Sequence, residues 1–135
     1  MPAGYSGTPL AKKLGFVDGM AVWQSGLPDT VRAAIEAQAD IAWTSGAMDA
    51  PVAAHMFTTE RAEMELLLGE LRKCMAQDGF VWMSWPKKAS KVPTDITEDV
   101  VREGALPMGL IDIKVCAVDK IWSGLKLVIR KELRR

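Results

Sequence analysis

Between Trp85 and Lys91 the chain places an indole ring, a proline, three lysines and a serine hydroxyl in one short run, WPKKASK. Ammonium groups and a hydroxyl can hold a phosphate or carboxylate, and an indole offers a flat face to a base or another ring. On that reading Lys87, Lys88 and Lys91 supply the charge, Ser90 a hydrogen bond and Trp85 the stacking surface. The same residues also suit an ordinary wet loop, because lysines keep a loop solvated, Pro86 ends a strand, and no phosphate-loop spacing of glycines accompanies them. Composition leaves both readings open, so position in the fold must separate them.

The remaining reactive residues have simpler explanations. His55 is the only histidine and sits in VAAHMF, where an imidazole is expected to be a hydrogen-bonded core group. Glu60, Glu63 and Glu65 fit the electrostatics of a helix start and its solvated face. Cys74 and Cys116 stand far apart without a CxxC pattern, which argues against zinc or a disulfide and for two small core residues. Trp23, Trp43 and Trp82 read as core or near-core, whereas Trp85 and Trp122 fall where exposure is expected; Trp122, in DKIWSG, either folds back on the sheet or contacts a partner.

Length and balance bound what must position these groups. The 135 residues are 49% hydrophobic and 25% charged, enough for one core, so 1–135 is expected to form a single domain with a short N-terminal helical segment. Lys plus Arg and Asp plus Glu number 17 each, so no overall field draws the chain to nucleic acid or an anionic membrane, and any basic site must be local. RKELRR at the C-terminus reads as a solvated tail. Without a signal-like apolar run or a membrane-length segment, a cytoplasmic location is expected.

The periodicities define the elements. Thr8-Pro9 opens a short helix, Leu10 to Leu14, that Gly15 ends. Leu27, Val31, Ala34 and Ile35 share one face of a second helix, and Met64, Leu67, Leu68, Leu71 and Met75 stripe a third over Glu60 to Ala76, with Thr59 as its cap. Asp95 and Glu98 have capping-box spacing before a fourth, lined by Ile96, Val100 and Val101. Strands are predicted at Met20 to Gln24, Asp40 to Trp43, Val52 to Phe57, Phe80 to Ser84, Ile111 to Val118 and Leu125 to Lys131. In the last two, Ile111, Ile113, Val115 and Ala117, then Leu125, Leu127 and Ile129, alternate with other residues, and DKIWSG joins them as an antiparallel hairpin. Strands and helices that alternate and end in a hairpin specify a three-layer α/β domain with a mostly parallel sheet.

GYSGTPLAKKLG, WPKKAS with TDITEDVVREGALPMGL, and DIKVCAVDKIWSGLKLVIRKELR resemble a bacterial family of short Rossmann-like proteins for which no activity is established. In layout alone the chain is similar to class I S-adenosylmethionine-dependent methyltransferases. That likeness implies a Rossmann-like strand order of 2-1-3-4-6-5, the last strand inserted beside the fourth. Methyltransferases follow their first strand with an acidic residue and a Gly-rich turn, whereas this chain has AVWQSGLPDTV, with Gly26 followed by Leu27 and Pro28.

In such sheets ligands bind beyond the carboxyl ends of the strands, at the switch point. The expected ligand-binding residues are therefore Gln24, Ser25 and Gly26 after the first strand and Thr58 after the third. The fourth strand adds Trp85, Lys87, Lys88, Ser90 and Lys91, with free amides at the start of the Ile96 helix helping to neutralise an anion. The functional expectation is a non-enzymatic module for an anionic metabolite or nucleotide, or for a protein partner or second copy; the alternative is a minimal or degenerate methyltransferase. No catalytic residue and no metal site is assigned.

Overall fold

The computed structural model describes residues 8–135; the opening of GYSGTPLAKKLG lies outside them. Six strands form one sheet in the order β2-β1-β3-β4-β6-β5, as the layout implied. They are β1 (Ala21–Ser25), β2 (Ala42–Thr44), β3 (Ala53–Phe57), β4 (Phe80–Pro86), β5 (Leu110–Ala117) and β6 (Trp122–Ile129). The first four pair in parallel, and β6 is antiparallel to both β4 and β5. Helices α1 (Leu10–Leu14) and α2 (Asp29–Glu36) cover one face; α3 (Arg61–Cys74) and α4 (Glu98–Ala105) cover the other.

β4 lies between these layers, which explains why FVWMSW lacks alternation. Val81, Met83 and Trp85 enter the core under α3 and α4 together with Met64, Leu68 and Leu71. Trp82 enters the opposite core and donates its indole N–H to the Leu14 carbonyl at 2.8 Å, pinning α1 to the sheet. Burial of such side chains contributes about 1.5–3 kcal/mol each. α2 buries Val31 and Ile35, while Ala34, expected on the same face, is exposed.

Three further departures have identifiable causes. α3 receives no cap from Thr59: Glu60 is at its N-cap without a side-chain bond, and the Arg61 N–H donates instead to Asp95 Oδ1 at 2.6 Å. α4 is capped by Thr97, whose Oγ1 accepts from the Val100 N–H at 3.2 Å, so Asp95 serves a different helix from the one its spacing suggested. In β5 the expected inward residues are exposed, Ile111 at 39%, Ile113 at 56% and Val115 at 53%. β5 is an edge strand, and an irregularity between Asp112 and Lys114 breaks its alternation, leaving Leu110 and Cys116 buried. In β6, Leu125, Leu127 and Ile129 point inward as expected.

Candidate functional site

The switch point lies where β1 has β2 on one side and β3 on the other. Beyond β1, Gly26 has φ +68°, and a Cβ there would stand 2.4 Å from the Phe57 carbonyl oxygen, so glycine is the residue the turn accepts. The Leu27 N–H donates to Gln24 Oε1 at 3.2 Å and closes the turn. Gly26 is exposed and Ser25 half-buried, which leaves turn backbone open at the edge.

On the β3 side Thr58 is buried, its N–H donating to the Ser84 carbonyl at 3.3 Å and its Oγ1 accepting from the Glu60 N–H at 3.1 Å. The Thr59 carbonyl accepts from Thr94 Oγ1 at 2.7 Å and from the Asp95 N–H at 3.3 Å. These bonds and the Asp95 cap lace the segment after the lysines to the β3–α3 turn. Glu60 is exposed beside them and forms no ion pair among the described residues.

The lysine loop forms a separate cleft of about 470 Å³ between the end of β4 and the start of α4. Trp85, Lys87, Lys88, Lys91 and Glu98 are among its lining residues; Gln24, Ser25, Gly26 and Thr58 are not. Lys88 and Lys91 are exposed and Lys87 is half-buried. Trp85, expected to be exposed for stacking, is 6% exposed because its ring packs in the α3/α4 core. Ser90 is occupied by the loop, its Oγ donating to the Lys87 carbonyl at 2.7 Å and accepting from the Val92 N–H at 3.2 Å. The amino end of α4 offers less to an anion than expected, since Thr97 caps it and Glu98 and Asp99 occupy its first turn. Lysine charge is what remains for a ligand there.

A buried pair went unnoticed in the sequence. His55 Nε2 lies 2.7 Å from Ser84 Oγ, both residues are fully buried, and the imidazole stacks on Phe57 at 4.1 Å. Phe57 pairs with Ser84 in the ladder and His55 with Trp82, so the two polar groups are diagonal neighbours on one face. Residues 29 positions apart give no local signal of this. Burial lowers the His55 pKa to about 3, so the ring is neutral at neutral pH. A neutral imidazole on a serine hydroxyl is the arrangement that activates a nucleophile, but full burial denies it a substrate; as expected, His55 is a hydrogen-bonded core residue.

Trp122 belongs to β6 and folds back, its half-buried ring meeting Phe57 edge-on at 5.2 Å. Cys116 is buried as expected, while Cys74 is only half-buried, on the outer side of α3. Among the described residues no group of three or more His, Cys, Asp or Glu side chains could hold a metal ion, and no helix is long and apolar enough to cross a membrane.

No protein-family model matches the chain, so the resemblance to the short bacterial family gains no support; no curated protein sequence matches either. Solved structures do share the fold. A putative type 11 methyltransferase from Sulfolobus solfataricus aligns with TM-score 0.59 and 9% identity over 89% of this chain and 88% of its own. Precorrin-6y C5,15-methyltransferase from Geobacter metallireducens aligns with TM-score 0.58 and 9% identity over 87% and 84%. LepI in complex with SAM aligns with TM-score 0.57 and 10% identity over 91% of this chain, which spans only 47% of LepI. At these identities the likeness establishes a Rossmann-like methyltransferase fold.

Proposed function

We propose that the protein is a minimal member of the methyltransferase fold that binds S-adenosylmethionine or its demethylated product at the carboxyl edge between β1 and β3. The observation that carries this reading is the sheet order with antiparallel β6 between β4 and β5, supported by alignment with a structure holding SAM. The switch-point residues fit such a ligand: the turn at Gly26, closed against the Phe57 carbonyl, leaves exposed backbone at the edge, and the Glu60 carboxylate, free of ion pairs among the described residues, can accept hydrogen bonds from ligand hydroxyls. Gln24 and Thr58 act indirectly, holding the Gly26 turn and the Glu60 backbone through the bonds already described.

When bound, S-adenosylmethionine supplies an electrophilic methyl group; the protein's part is to hold the donor in one orientation at the edge. Gly26 is taken up by its own contact with the Phe57 carbonyl where methyltransferases use several glycines for close approach, so weak affinity is expected. Calorimetry with S-adenosylhomocysteine tests the reading: binding that weakens about tenfold in Glu60→Gln, the loss of roughly one charge-assisted hydrogen bond, supports it. No heat of binding at millimolar ligand refutes it.

A second reading rests on the lysine cleft, where Lys87, Lys88 and Lys91 meet one acid, Glu98, already paired with Arg102 at 2.5 Å. There the chain would hold an anionic metabolite without chemistry. Unchanged anion affinity in Lys87→Ala/Lys88→Ala would remove that reading.

A further inference from the structure

At the β1–β2 corner of the sheet a loop, rather than a helix, meets the face that α3 and α4 cover elsewhere. Trp23 of β1 enters the core on that side, and its parallel partner Thr44, the last residue of β2, stands exposed beside it. Between these strands and the loop of residues 45–52 lies a cavity of about 360 Å³, a size suited to a small ligand. Ala21, Trp23, Thr44, Asp49, Ala50 and Val52 are among its lining residues, and Asp49 is the one that carries a charge.

The loop is anchored at both ends. The Trp23 indole N–H donates to the Gly46 carbonyl at 3.3 Å, and the Pro51 and Val52 carbonyls accept from the Ala76 and Phe80 N–H groups at 3.0 Å each. Between these anchors Ala50 has φ +44°, a left-handed backbone that alanine rarely adopts, and Pro51 behind it narrows the choice further. Such strain persists only where the surroundings enforce it, and here it shapes the wall next to Asp49. Neither the Asp49 carboxylate nor the Thr44 hydroxyl has a hydrogen-bond or ion-pair partner among the described residues. The fold thus holds a lined cavity in which two polar groups are left without a structural task.

We infer that this cavity is a binding site for a small organic ammonium, with its charge on Asp49, an N–H on Thr44 and its carbon body against the apolar walls. A carboxylate without a counter-charge selects a cation, and a charge-assisted hydrogen bond fixes its nitrogen. A hard metal ion fits less well, since it takes six or more oxygens and would leave Ala21, Ala50 and Val52 idle. An ammonium on a short alkyl chain uses both the charge and the walls. The inference does not rest on the switch-point reading: Gly26 and Glu60 do not line this cavity, so either site can fail without the other.

The test is an amide-resolved NMR titration with n-butylammonium at low ionic strength, with butyrate and n-butanol as parallel arms that keep the chain and change the charge. Saturable shifts are expected at Trp23, Thr44 and Ala47 to Ala50, with butylammonium binding at least about tenfold more tightly than either analogue. Asp49→Asn should weaken butylammonium by about tenfold or more. Glu70→Gln, which removes an acid that lines a second cavity with Gly46, should leave it within about twofold. Asp49→Glu, which keeps the charge, should retain binding and guards against a folding defect in the asparagine variant. Absence of saturable shifts at about 10 mM butylammonium, equal affinity for butanol or butyrate, or unchanged affinity in Asp49→Asn would overturn the inference.

Discussion

At the β1–β3 edge most polar groups serve the fold, whereas in the lysine cleft Lys87, Lys88 and Lys91 form no ion pair among the described residues. Gln24 closes a turn, Thr58 holds a backbone amide, Asp95 caps α3, and Gly26 fits against Phe57 with no room for a methyl group. In the cleft Lys88 and Lys91 are exposed, while the hydroxyls of Ser90 and Thr94 are tied to backbone. The difference teaches that a rigid edge is assembled from contacts distant in sequence, while a charged cleft can be built from one contiguous run. Substitutions at the edge should therefore be felt in stability, and substitutions in the cleft in ligand binding alone.

The strongest attempt to break that contrast is Gly26→Ala. A left-handed alanine costs about 1–2 kcal/mol, and its Cβ must also displace the Phe57 carbonyl, so a loss of about 3 kcal/mol is expected in urea unfolding. A loss below about 1 kcal/mol would mean that the turn relaxes freely and the edge is not rigid.

Acid sharpens the comparison by probing the core beneath the edge. Below pH 6.5 the unfolded chain binds a proton at His55 that the folded chain refuses until about pH 3. The unfolded state then holds more protons, so stability drops by about 1.4 kcal/mol for each unit the pH is lowered from 6.5 toward 3 and is insensitive to this group above that window. Unfolding free energies measured over the window should lose that slope in His55→Gln.

Asp95→Ala should cost about 1 kcal/mol by removing the cap of α3 and loosening the bridge to the β3–α3 turn. Hydrogen exchange should quicken in the first turn of α3 and leave α4, capped by Thr97, unchanged. The smallest effect belongs to Lys88→Ala/Lys91→Ala, where thermal unfolding should report a change within about 0.5 kcal/mol.

What the sequence disclosed follows the same division. The stripe of α3 was legible because apolar periodicity records which face meets the core, while the strand order came from the likeness in layout to class I methyltransferases. The lysine loop was legible because its residues are neighbours in the chain. The Asp95 cap, the Ser84 partner of His55 and the burial of Trp85 were not, since each depends on elements brought together only by the sheet. β5 misled for another reason: Ile111, Ile113 and Val115 keep the alternation of a half-buried strand, but an irregular edge strand has no layer to cover them.

The central claim is a ligand edge between β1 and β3, and the most direct measurement is an amide-resolved NMR titration with S-adenosylhomocysteine. The account predicts saturable shifts at Gln24 to Gly26 and Thr58 to Glu60, with the lysine loop largely unmoved. Shifts confined to Lys87 to Thr94, or none at millimolar ligand, would contradict it.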